Sequence, residues 1–198
     1  MWGKQKMADS KSQIANRKWY TGVGDDGYTG VLGRERVPKY ADRPAACGTV
    51  DEASALLGLA RVQAHDKQVR QLLLAIQRDL HKMMADLATL PETATRPAWL
   101  ADDRLTWLEQ KTDALGKRVE MPRAFIVPGD SLGGARLEVA RTVVRRAERL
   151  VARLTHNGEL RDDTPLKYLN RLSSLLFVMA RVEDRAEGVE AFTLAVED

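Results

Sequence analysis

Arg141, Arg145 and Arg149 recur every fourth position, with Arg146 beside them and Glu148 among them. In a helix this spacing puts the three arginines on one face. Guanidinium forks pair with phosphate oxygens two at a time, so such a face suits a polyphosphate. Two other readings stay open: a solvated charged face, and a nucleic-acid groove. The groove would need interleaved aromatics and a stronger positive charge than this chain carries. The arginines flank an apolar seam of Leu137, Ala140, Val144, Ala147, Val151 and Leu154. A helix with that seam is central, so some of its arginines are partly covered and need anionic partners.

The second group is a glycine-rich run, Tyr20 to Gly33, holding Gly22, Gly24, Gly27 and Gly30. Backbone N–H groups in such a loop can cradle phosphate oxygens. Gly22-Val23-Gly24-Asp25-Asp26-Gly27 has the letters of a dinucleotide fingerprint, but that motif needs a preceding apolar strand and a following helix. Here Asn16-Arg17-Lys18-Trp19-Tyr20 precedes it and more glycine follows. Read as a phosphate loop of the Walker type, it has Tyr28 where the lysine belongs. What survives is a phosphate-cradling loop without a Rossmann unit, or else a plain flexible surface loop.

Asp51 and Glu52 read either as acids near a helix N-terminus or as partners for an arginine of the Arg141 helix, within or between subunits. Phe125-Ile126-Val127 is an apolar patch in a loop, either plugging the core or walling a flat ligand. His65, His81 and His156 are isolated; none completes a Glu-x-x-His pair, and no protein-ligated metal centre is expected. No serine or cysteine nucleophile constellation stands out.

Helices must position these groups. Val50, Ala53, Leu57, Ala60 and Ala64 repeat at spacings of three and four, predicting a first helix from about Pro44. Val69, Leu72, Leu73, Ile76, Leu80, Met83, Leu87 and Leu90 predict a second, ended by Pro91. Pro97 is expected in the first turn of a third helix marked by Leu105, Leu108 and Leu115. The fourth carries the arginines and stops at Asn157-Gly158; the fifth runs from about Pro165 to Glu187. Residues 19–44 lack helical periodicity and read as a loop touching the body only through a ligand. Residues 119–134 read as a second loop, and the last ten residues as a short extended tail. With no strand–helix alternation, the fold class is all-α, an antiparallel five-helix bundle.

The 198 residues suit one domain, 19–188, between a disordered N-terminal tail (1–18) and a C-terminal tail (189–198). A net charge of +3 and a pI near 9.1 fit an anionic small ligand but do not select one. Cys47 is the single cysteine, so no intrachain disulfide is expected and the cytoplasm is the expected compartment. No apolar run approaches a membrane span, and residues 1–18 lack the apolar stretch of a secretory signal.

Taken together, six blocks in this order resemble the PduO-type ATP:corrinoid adenosyltransferases, from about Trp19 to Glu187. They are Gly24-Asp25-Asp26-Gly27-x-Thr29-Gly30, Arg36-Val37-Pro38-Lys39, Gly48-Thr49-Val50-Asp51-Glu52, Phe125-Ile126-Val127-Pro128-Gly129, Ala140-Arg141-Thr142-x-x-Arg145-Arg146-Ala147-Glu148-Arg149 and Tyr168-Leu169-Asn170-Arg171-Leu172-Ser173. The resemblance implies a bundle of the ferritin-like, cobalamin adenosyltransferase-like kind, assembled as a homotrimer with active sites between subunits. It implies transfer of the 5′-deoxyadenosyl group of ATP to cob(I)alamin or a related corrinoid, with magnesium accompanying the ATP and triphosphate released. Thr21, Gly22, Val23, Gly24, Asp25, Thr29, Gly30 and Lys39 would fold over the nucleotide. Arg145, Arg146, Glu148, Arg149 and Asn170 would hold it from the bundle. The catalytic set would be Arg141, Arg145, Asp51 and Phe125, with Arg141 and Asp51 paired and Phe125 facing the corrin. A Co(II) reductase and an adenosylcobalamin-dependent enzyme are the implied protein partners; nucleic acid and membrane are not.

The chain departs from that family pattern in places. Gly22 and Val23 stand where a basic residue and a Thr or Asn are usual, Asp130 follows Gly129 where a second glycine is common, and Ser174 stands where an acid is usual. The helix-one block continues Ala53-Ser54. A second functional reading follows: a non-catalytic carrier or sensor of corrinoid or ATP on the same fold. A helical nucleic-acid or protein adaptor is a third.

Overall fold

The computed structural model describes residues 19–32, 34–93 and 97–196. The tail expected at 1–18 lies outside the described residues. Five long helices follow a small hairpin: β1 (Tyr28–Val31), β2 (Arg34–Pro38), α1 (Asp42–Gln63), α2 (Lys67–Ala88), α3 (Asp103–Gly116), α4 (Leu132–His156) and α5 (Thr164–Ala186), with a 3₁₀ turn at Pro91–Thr93.

Each helix end has a local cause. Asp66 caps α2, its carboxylate accepting from the N–H groups of Gln68 and Val69. Ser131 caps α4 through the Gly134 N–H at 2.9 Å. Pro165 sits in the first turn of α5, where its missing N–H costs nothing. Past α4 the chain turns at Gly158, whose φ of +71° favours glycine.

The bundle closes around α4, which packs on both α5 and α1; α2 covers α1, and α3 covers α5. The period-3.6 residues are the buried ones: Val50, Ala53 and Leu57 of α1, Leu73, Ile76 and Leu80 of α2, Ala140, Val144 and Ala147 of α4, Leu169, Leu172 and Leu176 of α5. Burying each of the leucines contributes about 1.5–3 kcal/mol. One polar cluster inside the core is fully tied in. The Tyr168 hydroxyl donates to Asp79 at 2.9 Å, and Arg104 reaches the same carboxylate, tying α5, α2 and α3 together. Burial, reinforced by the Asp79 charge, pushes the Tyr168 hydroxyl well above its usual range.

Three expectations are corrected. Residues 19–44 are not a free loop. β1 and β2 pair antiparallel, and Leu32 exchanges backbone hydrogen bonds with Ala88 and Leu90 at the end of α2. Pro97 is not in a first helical turn, because α3 begins only at Asp103. Asp51 and Glu52 are not at a helix N-terminus: α1 starts at Asp42, leaving them mid-helix, beyond reach of the terminal N–H groups. The C-terminal segment is extended and pairs with the loop before α4, through Val127 N–H to the Thr193 carbonyl and Ala195 N–H to the Phe125 carbonyl, both 2.8 Å.

Candidate active site

The glycine-rich loop is a sequence of tight turns. Asp25 N–H donates to the Gly22 carbonyl and Gly27 N–H to the Gly24 carbonyl, with Gly22 and Gly27 at φ of +72° and +81°. Arg36 of β2 grips the loop from behind. It takes both oxygens of Asp26 and also donates to the carbonyls of Val23 and Tyr28. The guanidinium holds the Asp26 carboxyl below the usual carboxylate range. Lys39 lies across Gly24: a Cβ there would sit 2.9 Å from the lysine Nζ. The loop thus presents backbone N–H groups and an ammonium together. Thr21, Val23 and Asp25 complete its exposed or half-exposed edge, and Thr29 and Gly30 lie in β1.

The arginine face of α4 forms the second group. Arg146 is paired with Glu52 of α1. Glu148 accepts from Asn170 Nδ2 of α5 at 2.8 Å, so it orients Asn170. Arg149 donates to the Arg145 carbonyl at 3.0 Å. Between these fixed side chains the Arg145 guanidinium is exposed, with no hydrogen bond or ion pair to any described residue. An unpaired arginine flanked by oriented neighbours is a ready anion site.

Arg141 is three-quarters buried and donates from Nε to Glu138 at 2.6 Å. Asp51 does not touch it; within one chain that pair is absent among the described residues. Nor does any hydrogen bond or ion pair among the described residues join the glycine loop to the arginine face. The glycine loop and the arginine face thus stand as two candidate half-sites with no direct bond between them among the described residues. Phe125 is 86% exposed, which overturns its reading as a core plug and leaves an apolar face for a flat ligand.

Two further readings are refined. His65 is not isolated: its Nδ1 lies 3.9 Å from Glu183 and 3.6 Å from Glu187. Glu183 accepts the N–H groups of His65 and Asp66, and Glu187 that of Gly133, so the cluster staples the α1–α2 turn to the start of α4. Burial pushes the Cys47 thiol up to about 11, which makes it a poor nucleophile. The grip of Arg36 on Asp26 and the holding of Arg141 by Glu138 lie beyond what the sequence foresees. The second has a visible signal, an acid three residues before an arginine on one helix.

The family model described as cobalamin adenosyltransferase matches residues 19–183. Among curated relatives, the corrinoid adenosyltransferase PduO of Salmonella typhimurium is 38% identical over 166 residues, covering 83% of this chain but 49% of that protein. The chain thus spans about half the length of that relative. The corrinoid adenosyltransferase of Citrobacter freundii is 36% identical over 171 residues, covering 86% of this chain and 97% of that one. Among solved structures, a variant PduO-type ATP:corrinoid adenosyltransferase from Lactobacillus reuteri, complexed with cobalamin and ATP, superposes with a TM-score of 0.85. It is 31% identical and covers 91% of this chain and 100% of that one.

Proposed function

This chain belongs to the cobalamin adenosyltransferase family, and on that premise we propose that it moves the 5′-deoxyadenosyl group of ATP onto the cobalt of a reduced corrinoid. The observation that carries this reading is the unpaired Arg145 guanidinium, set between the Arg146–Glu52 and Glu148–Asn170 pairs.

The chemistry asks little acid–base work of the protein. Co(I) is a strong nucleophile: its electron pair forms the Co–C5′ bond while the C5′–O bond breaks and triphosphate departs with that bond's electrons. The protein must hold C5′ in line and neutralise the developing charge. Arg145, Arg146, Arg149 and Lys39, with the loop N–H groups of Gly22 to Gly30, suit that charge. Asn170, oriented by Glu148, would fix the nucleotide. Magnesium would neutralise phosphate charge, held chiefly by phosphate oxygens and water as that ion prefers. Glu148 accepts from Asn170 through one oxygen, and its other oxygen would help to hold the hydrated ion. Phe125 would lie against the corrin and keep a lower axial ligand from cobalt, favouring an easily reduced Co(II) state.

The two half-sites support a homotrimer in which the loop of one subunit meets the arginine face of the next. Asp51 would then pair with Arg141 across that boundary, since each has polar atoms without a partner among the described residues of its own chain. A Co(II) reductase supplying Co(I), and an enzyme consuming the product, follow from this chemistry. No helix among the described residues is long and apolar enough to cross a membrane. The need to keep Co(I) reduced favours action in the cytoplasm.

The second reading, a non-catalytic carrier or sensor, is favoured by Gly22 and Val23, which bring no polar side chain to phosphate. The deciding experiment is anaerobic: protein, magnesium, ATP and chemically reduced cob(I)alamin, followed by absorbance. Saturable, protein-dependent formation of the Co–C bond is expected. Tight binding of either substrate without turnover would replace the enzyme with the carrier.

A further inference from the structure

A line of charged side chains runs through the α4–α5 interface behind the arginine face. Glu138, 4% exposed, divides its oxygens: Oε2 accepts from Arg141 Nε at 2.6 Å, and Oε1 lies 3.4 Å from Arg181 Nη2. Arg181 is 1% exposed, with its Nε 2.9 Å from Asp184 Oδ2. The other Asp184 oxygen accepts from the Ser131 hydroxyl at 2.6 Å. Ser131 caps α4 and ends the loop that carries Phe125.

Stability alone does not explain this line. No N–H of the Arg181 guanidinium is aligned on an acceptor, and Glu138 Oε1 and Asp184 Oδ2 have no aligned donor. Buried ions in that condition hold a fold no better than apolar side chains of the same volume. Their effect is directional instead. Glu138 occupies Arg141 Nε and leaves both Nη groups without a partner among the described residues. A planar guanidinium held at Nε has its remaining fork aimed in one direction.

We propose that Glu138 is a positioning residue for Arg141, kept in place by the buried Arg181. This rests on the adenosyl-transfer reading above. The α4–α5 core then sets where the free fork of Arg141 points, and the far end of the same line is tied through Asp184 and Ser131 to the Phe125 loop.

The test removes the buried charges in pairs, so that the core stays balanced. The double variant Glu138→Leu/Arg181→Met should melt at or above the wild-type temperature. Its kcat for adenosylcobalamin formation should fall about tenfold or more, with KM for ATP changed less. The same pair of changes should cost no further rate in an Arg141→Lys background, which has no Nε–H to hold. Should the double variant fail to fold, Glu138→Met/Arg181→Leu enters the same cycle with the same expectation. Wild-type kcat in the altered protein overturns the positioning assignment and leaves the function standing. An equal further loss in the Arg141→Lys background also overturns it, because the effect would then pass through the bundle and not through Arg141. A wild-type protein without turnover removes the function, and this assignment with it.

Discussion

Arg36 and Asp26 form a forked ion pair, with Nη1 donating to Oδ2 at 2.7 Å and Nη2 to Oδ1 at 2.5 Å. The same Nη2 donates to the Tyr28 carbonyl at 2.8 Å, so one side chain pins the glycine turns to β2. A loop ordered before the nucleotide arrives spares binding the cost of ordering it, about 1–2 kcal/mol for each residue fixed. Arg36→Ala should therefore raise KM for ATP about tenfold. Initial rates against ATP concentration would show this, with kcat changed less.

Arg145 has no partner to lose among the described residues. Arg145→Ala should leave stability within about 0.5 kcal/mol of the wild type. Its kcat should drop by about 10²–10³, the usual cost of removing one preorganised donor to developing charge. Unchanged turnover in a folded variant would reject the role given to this arginine.

Phe125 is exposed, so Phe125→Ala should also leave the melting temperature in place. The change belongs on the corrinoid. The visible spectrum of bound Co(II) corrinoid should move toward the form that keeps its lower ligand, and adenosylation should slow.

Asp66 is paired with Arg118 and also caps α2. The Arg118 guanidinium, helped by the Val69 and Gln68 N–H groups, holds its carboxyl below the usual range. The unfolded chain therefore takes up this proton first as pH falls. The stabilisation is complete above the unfolded value, about 3.9, and is lost as pH drops through the lower folded one. Asp66→Asn keeps a capping oxygen but not the charge. Urea unfolding should show it less stable at pH 7 by about 1 kcal/mol or less, with the gap closing below about pH 4.

Gly134 leaves no room for a side chain: a Cβ would lie 1.9 Å from Asp184 Oδ1. Gly134→Ala should cost about 1–3 kcal/mol through overpacking, measured by denaturant midpoint. Gly116, with open space around its missing Cβ, is the matched control.

Much of this site can be read along the chain, because a helix converts spacing into facing. Arg141, Arg145 and Arg149 share a face on period alone, and the leucines and valines between them mark the opposite, buried one. Pro91 and Asn157-Gly158 end helices for local reasons that need no partner. The glycine run is legible as a turn-rich loop, but the hairpin that supports it is not. Its pairing with Leu32 and the end of α2 joins segments far apart in sequence.

What the sequence alone determined is therefore the helical period, the buried stripes and the residue types that can meet phosphate. Only the tertiary structure decided which side chains meet across helices. Glu52 reaches Arg146 while its neighbour Asp51 misses the Arg141 of its own chain; Glu148 turns to Asn170; Glu138 lies between Arg141 and Arg181; and Phe125 stays in the open. The physical reason is that periodicity sets the angle of a side chain around its own helix. The crossing angle and axial register between two helices come from the packing of both surfaces, and these choose its partner.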